Sequence, residues 1–226
     1  MQNKCYIVGC GGHGRVVLDI LNQGGNFEVL GFLDSDPACE GTFVDDVRVV
    51  GQLNTFGDFC QHLATGAALG FVGYKPVRAI VAIGDNRARN EVAEKLRTWG
   101  VELINAIHPA SQLPGRIMLG QNVVIAVGVM IGTGCQIDDS VILNTGCIVD
   151  HGSWIGEAAH ICPGAKLAGG VKIGPGAFIG TGAVIIPNIR VGQNAIVGAG
   201  TVVTRNVAAD ATVVGVPARE INSNTP

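Results

Sequence analysis

The chain has 226 residues, enough for one large domain or for two small ones that each bury a core. Its formal net charge is -3, which describes a soluble globular protein and leaves no basic footprint for nucleic acid or a membrane surface. The seven cysteines (5, 10, 39, 60, 135, 147 and 162) form no C-x-x-C pair, and the first residues run straight into a strand without a signal peptide, so a reduced, cytoplasmic setting is expected.

From the N-terminus, the apolar run Cys5 to Val8 predicts a strand that enters Gly9-Cys10-Gly11-Gly12-His13-Gly14, a G-x-G-x-x-G. A helix is expected from about His13 to Asn22. A second strand, Val29 to Asp34, ends on an acidic residue twenty positions after Gly14. Alone, this pattern reads as a dinucleotide-binding turn. A helix around Thr55 to Ala64, a strand from Ala79 to Ile83, a helix from Asn86 to Trp99 and a strand from Val101 to Ile107 complete an α/β alternation, which implies a parallel sheet in a Rossmann-like domain over 1–107. Roughly a hundred residues are too few for two mononucleotide halves. A dehydrogenase is therefore the least favoured reading, and tight NADH binding would restore it.

After His108-Pro109 the period changes. Stepping by six from Leu113 through Leu119, Ile125, Ile131, Ile137, Leu143, Val149, Ile155, Ile161, Leu167, Ile173, Ile179, Ile185, Val191 and Val197 to Val203 meets Leu, Ile or Val every time. Four residues after most of these comes a small or β-branched residue, and glycine often follows the aliphatic directly. A period of six is neither helical nor simply alternating; it predicts a parallel β-helix of about five triangular coils over 108–205, followed by a tail at 206–226. The repeat also explains why residues 117–137 carry no charge: Gly120, Gly128, Gln121, Asn122, Thr133 and Gln136 argue against a membrane span. Cys135, Cys147 and Cys162 are expected to pack inside.

A hexad β-helix behind a small Rossmann-like domain resembles the sugar acetyltransferases of the sialic-acid O-acetyltransferase and nucleotide-amino-sugar N-acetyltransferase group, within the hexapeptide-repeat acyltransferases. The resemblance rests on GCGGHG at 9–14, FLDSD at 32–36, AIGDNRAR at 82–89, LNTGCIVDH at 143–151, HICPGAKLAGGVKIG at 160–174 and VGVPAR at 214–219. It implies a left-handed β-helix, a homotrimer, and acetyl-CoA in a cleft between neighbouring β-helices. It also implies that the glycine turn holds the phosphates of a nucleotide sugar instead of NAD, which suits the chemistry of a helix N-terminus.

By the same resemblance His151 is the general base, a role imidazole suits near neutral pH, and Asn144 belongs to the acceptor site. Gly11, Gly12, His13, Asp34, Ser35, Asp85 and Arg89 are the candidate substrate contacts. His160, Gly169, Gly170, Thr181, Arg190 and Ala199 are the candidate acetyl-CoA contacts, with a backbone amide at 169–170 facing the thioester oxygen. One departure stands out. Family members often carry an acidic residue directly after the base, where this chain has Gly152. Asp150 precedes the histidine and is the remaining candidate to orient it. His62 and His108 have no catalytic company, and no histidine, thiol or carboxylate spacing reads as a metal site. The expected activity is acetyl-CoA-dependent N-acetylation of a nucleotide-linked amino-deoxy-sugar; O-acetylation of a sialic-acid-type sugar and a non-catalytic sugar-nucleotide-binding scaffold remain open alternatives.

Overall fold

The computed structural model describes residues 2–58, 60 and 76–221. His62 lies outside them. The chain divides into two compact units, Met1–Ala106 and Ile107–Pro226.

In the first unit, β1 (Asn3–Val8) leads into α1 (Gly12–Gly24), and β2 (Phe27–Asp34) follows after a left-handed turn at Gly25. A three-residue 3-10 turn at Pro37–Cys39 and a short antiparallel pair, β3 (Phe43–Val44) with β4 (Val47–Gln52), come next. β5 (Arg78–Val81), α2 (Asn86–Thr98) and β6 (Glu102–Leu103) complete the unit, with a helical stretch over 53–58. The strand order is β3-β4-β2-β1-β5-β6, and every pair except β3–β4 is parallel. The chain winds outward from β1 to β4 and then crosses back to β5, so the winding reverses between β1 and β5. Open α/β sheets bind ligands at such a reversal, outside the carboxyl ends of the strands. α1 buries Val17, Leu18, Ile20 and Leu21 on one stripe, while Arg15 and Gln23 stay outside. The β3–β4 pair had no clear sequence signal, because each strand is anchored by its neighbours and β3 is two residues long.

The second unit is a left-handed parallel β-helix. Two-residue strands pair with partners 18 positions on, as in Met130↔Ile148, Gln136↔Trp154 and His160↔Phe178, so one coil is three hexads. The aliphatic column from Ile125 to Val203 is buried, and the small-residue column from Val123 to Thr201 is buried beside it. Cys135, Cys147 and Cys162 pack inside as expected. Burial pushes the Cys147 thiol up to about 12. One residue in each hexad adopts a left-handed backbone, from Asn122 and Gly128 through Gly146, Gly152, Ala158 and Gly164 to Gly200. Gly156 follows an interior aliphatic and lies against the next coil; a Cβ there would come within 2.8 Å of the Pro175 nitrogen.

Core packing continues past residue 205. Val207, Ala211 and Val213 belong to the same buried cluster. Here the stacking distance shrinks to 16, as in Ile196↔Thr212 and Val191↔Val207, and the strand Arg219–Ile221 returns antiparallel along Thr212–Val214.

Candidate functional site

At the winding reversal of the first unit, Gly9, Gly11, Gly12, His13, Asp34, Ser35, Ala82, Ile83 and Gly84 line a cavity of about 530 Å³. The fold itself demands only some of the loop's glycines. Gly9 has φ +104, and a Cβ on Gly14 would collide with the Gly9 carbonyl oxygen. Gly11 and Gly12 are different: a Cβ on either would meet nothing within 4 Å. They keep the cavity side of the α1 N-terminus bare, and Gly11 caps that helix without a side-chain bond. Unclaimed N–H groups at a helix N-terminus suit an anion such as phosphate.

His13 sits one residue further on. Its Nε2 is buried with no hydrogen-bond partner among the described residues. Burial, helped by the nearby Arg89 charge, lowers its pKa to about 4, so the ring is neutral. Arg89 is fully buried instead of solvated; its Nη1 donates to the Ile83 and Gly84 carbonyls at 3.0 and 3.1 Å and its Nη2 to Asn86 at 2.9 Å. The guanidinium thus braces the β5–α2 loop. Asp85 caps α2, its carboxylate accepting from the Ala88 N–H at 2.8 Å. Asp34 accepts from the Cys10 N–H at 2.9 Å and the Asp36 N–H at 3.0 Å. Burial pushes its carboxyl up, but the surrounding N–H donors outweigh burial and hold it below the usual value. Ser35 is exposed at the cavity rim.

On the β-helix the 18-residue coil sorts the remaining candidates onto two edges. Asn144 follows the strand Ile142–Leu143, and its Nδ2 lies 3.1 Å from Nε2 of His160, on the next strand of the same sheet. The contact makes Nε2 the acceptor. The ring of His160 meets Phe178 edge-on at 5.3 Å. Backbone bonds from Gly164 to Thr145, Gly182 to Pro163 and Gly200 to Thr181 stack this edge at 18-residue steps, which puts Thr181 and Ala199 on the edge of Asn144.

His151 occupies the next edge, across the strand Ile148–Val149. The chain therefore does not bring His151 to Asn144. His151 is exposed, and its ring lies over Gly169, one coil on: a Cβ at 169 would come within 2.6 Å of both Cε1 and Nε2. The Gly169 N–H is used by no other group among the described residues, while Gly170 N–H donates to the His151 carbonyl at 2.8 Å. Asp150 turns its Oδ1 to the His151 backbone, accepting from that N–H at 2.7 Å. Gly152 occupies the left-handed position of its hexad with φ +66. Arg190 is exposed on the face beyond this edge.

Residues 4–96 match the PglD N-terminal domain, and 152–187 and 170–205 match the bacterial transferase hexapeptide of six repeats. GDP-perosamine N-acetyltransferase of Escherichia coli O157:H7 is 37% identical over 168 residues, 74% of this chain and 71% of that one. The chain belongs to the hexapeptide-repeat sugar acetyltransferases. Among solved structures, PerB from Caulobacter crescentus, in complex with CoA and GDP-perosamine, matches this acetyltransferase with a TM-score of 0.83 and 38% identity over 98% of both chains. The acetyltransferase domain of PglB from Neisseria gonorrhoeae, in complex with acetyl coenzyme A, gives 0.84 and 29% over 98% of this chain and 100% of that one.

Two features of the acetyltransferase escaped its sequence. A cavity of about 460 Å³ on the β-helix is lined by Gln136, Asp138, Asp139 and Glu157, with Asp138 accepting from Gln136 and from the Trp154 indole, each at 2.8 Å. In the first unit, Cys10, Asp34 and Cys39 offer ligand atoms that all lie within 4.8 Å of one another. No spacing rule finds such a set, because three separate segments supply it. Among the described residues no helix is long and apolar enough to cross a membrane.

Proposed function

We propose that this enzyme transfers the acetyl group of acetyl-CoA to the amine of a nucleotide-linked amino-deoxy-sugar, with a GDP-linked sugar of the perosamine type as first candidate, and that it does so as a cytoplasmic homotrimer. The observation that carries the reading is the exposed His151 imidazole seated on Gly169, in a chain that matches GDP-perosamine N-acetyltransferases along its length.

In this reading the first unit binds the nucleotide. The bare N–H groups of Gly11 and Gly12 take the diphosphate, Asp34 and Ser35 take hydrogen bonds from the base or ribose, and His13 offers its free Nε2 to the substrate. Asp85 and Arg89 act by fixing the shape of the loop. At the β-helix the sugar amine attacks the thioester carbon, a C–N bond forms and the C–S bond breaks. His151 takes the proton lost by nitrogen, and CoA leaves as the thiolate that is then protonated. The Gly169 N–H donates to the oxyanion.

Because His151 and the Asn144–His160 pair stand on different edges, one chain holds half of the machinery at each edge. A neighbouring chain that sets its Asn144, His160, Thr181 and Ala199 against this chain's His151, Gly170 and Arg190 completes the site. Met130 and Val184, exposed on the face between the two edges, and Val127 and Ile186, exposed on the edges that flank it, supply an apolar contact for it.

The test is mass spectrometry of GDP-, UDP- and dTDP-linked amino-sugars, and of free and CMP-linked sialic acids, each incubated with acetyl-CoA and enzyme. Gain of one acetyl on a sugar nucleotide supports the reading. Acetylation of sialic acid alone, or of nothing in the panel, overturns it.

A further inference from the structure

Cys10 and Cys39, which cluster with Asp34, have no part in acetyl transfer as proposed above. Cys10 lies in the glycine turn after β1, Asp34 ends β2, and Cys39 closes the 3-10 turn that Pro37 starts. All three are partly buried. Each is held by its backbone: the Cys10 and Asp36 N–H groups fix the two carboxylate oxygens, and the Asp36 side chain caps the turn through the Ala38 N–H at 2.9 Å. The Cys39 N–H donates to the Asp36 carbonyl at 3.1 Å.

We propose that Cys10, Asp34 and Cys39 form a binding site for a thiophilic divalent cation of the Zn²⁺ class. Two sulfurs and a carboxylate oxygen are the donor set such an ion prefers, with a fourth position left open. In a tetrahedral site with Zn–S near 2.3 Å and Zn–O near 2.0–2.2 Å, neighbouring ligand atoms stand roughly 3.5–3.8 Å apart. The three ligand atoms already lie within 4.8 Å of one another. Asp34 keeps lone pairs beyond those its two N–H donors use. Binding releases the thiol protons to solvent as the metal takes their place on sulfur. Asp34 also lines the cavity that the proposed function gives to the nucleotide, so a bound cation competes with the sugar nucleotide; this second consequence, unlike the first, rests on that reading.

The experiment uses the full-length protein, reduced and stripped with a chelator. Titration with Co²⁺ should give one equivalent with sulfur-to-cobalt charge-transfer absorption and the intense d–d bands of a tetrahedral site, and Zn²⁺ should bleach both. Cys10→Ser and Cys39→Ser should each weaken binding by at least about a hundredfold, since changes to outer groups already cost 10–100-fold. Cys60→Ser should leave the spectrum unchanged. Zn²⁺ should also shield Cys10 and Cys39 from alkylation, read by peptide mass spectrometry, a readout that needs no variant to fold. No thiolate band, or a band that survives both serine variants, overturns the site. Metal binding with unaltered sugar-nucleotide affinity would keep the site and overturn only its link to the nucleotide cavity.

Discussion

The two units reach a functional geometry by opposite routes. In the β-helix, position follows from arithmetic: residue i sits on residue i+18, so His151 and Gly169 meet because their numbers differ by one coil. In the α/β unit, Cys10, Asp34 and Cys39 meet because a strand end, a glycine turn and a 3-10 turn converge, and nothing in their spacing says so. A repeat makes neighbours periodic and leaves its chemistry on the edges. A wound sheet gathers unrelated segments at one reversal of direction.

The largest expected effect tests the edge chemistry. His151→Asn should lower kcat by roughly a hundredfold to ten-thousandfold, the usual contribution of one positioned base. The β-helix should stay folded, since the side chain points away from the core. Steady-state kinetics and circular dichroism check both halves; a variant that keeps more than about a third of kcat, against the loss a base should cause, removes His151 from the role.

Next comes acid. His13 is neutral when folded, with a pKa near 4 against its ordinary 6.5. The unfolded chain therefore binds the extra proton first, and the stability tied to this group is intact above about pH 6.5 and lost as the pH falls toward 4. The shift corresponds to about 3 kcal/mol. Thermal melts from pH 7 to 4 should show the transition of the α/β unit falling, and His13→Asn should flatten that slope. A slope unchanged in the variant assigns the acid loss elsewhere.

Gly169→Ala sharpens the arithmetic. The new methyl takes the space of the His151 ring, and displacing a catalytic group by about 1 Å costs up to roughly a hundredfold. A fall in kcat of tenfold or more is expected, with little change in melting temperature. Gly134→Ala, at φ +71 on the same edge, is the control: it strains a left-handed turn by about 1 kcal/mol and should leave kcat alone. Equal kcat losses in both variants would mean that the ring does not depend on its seat.

The smallest effect runs the other way. Ala158 holds the left-handed position of its hexad at φ +55, where most of the column is glycine. Ala158→Gly relieves that strain but adds freedom to the unfolded chain, for a net gain of about 0.5 kcal/mol measured by chemical denaturation. A loss would show that the methyl packs more than it strains.

How far the sequence revealed all this follows the same divide. Sixteen aliphatic hits in step announced the β-helix, its interior and its thiols, and the glycine turn with Asp34 announced the side of the sheet where the cavity lies. Arg89 and His160 are buried where other motif residues such as His151 and Ser35 are exposed, and Gly152 looked like a missing partner when its conformation reserves that position for the turn. Arg89 was expected as a substrate contact, and nothing in AIGDNRAR says that the guanidinium folds back onto the Ile83 and Gly84 carbonyls. The resemblance put Asn144 and His151 in one acceptor site, but the seven residues that separate them carry the chain across one face and onto another edge.

The shortened last coil has a consequence for solution behaviour. A stack of parallel coils ends in rows of unpaired N–H and C=O groups, and such an end can accept the first coil of another molecule as its next layer. Dropping from 18 residues to 16 breaks the pitch, and Arg219–Ile221 lies antiparallel against the terminal strand, a direction no incoming coil can continue. The closing strand therefore acts as a stopper against fibre growth. Removing residues 216–226 should turn particles of one size into material that lengthens end to end, visible by light scattering and negative-stain microscopy.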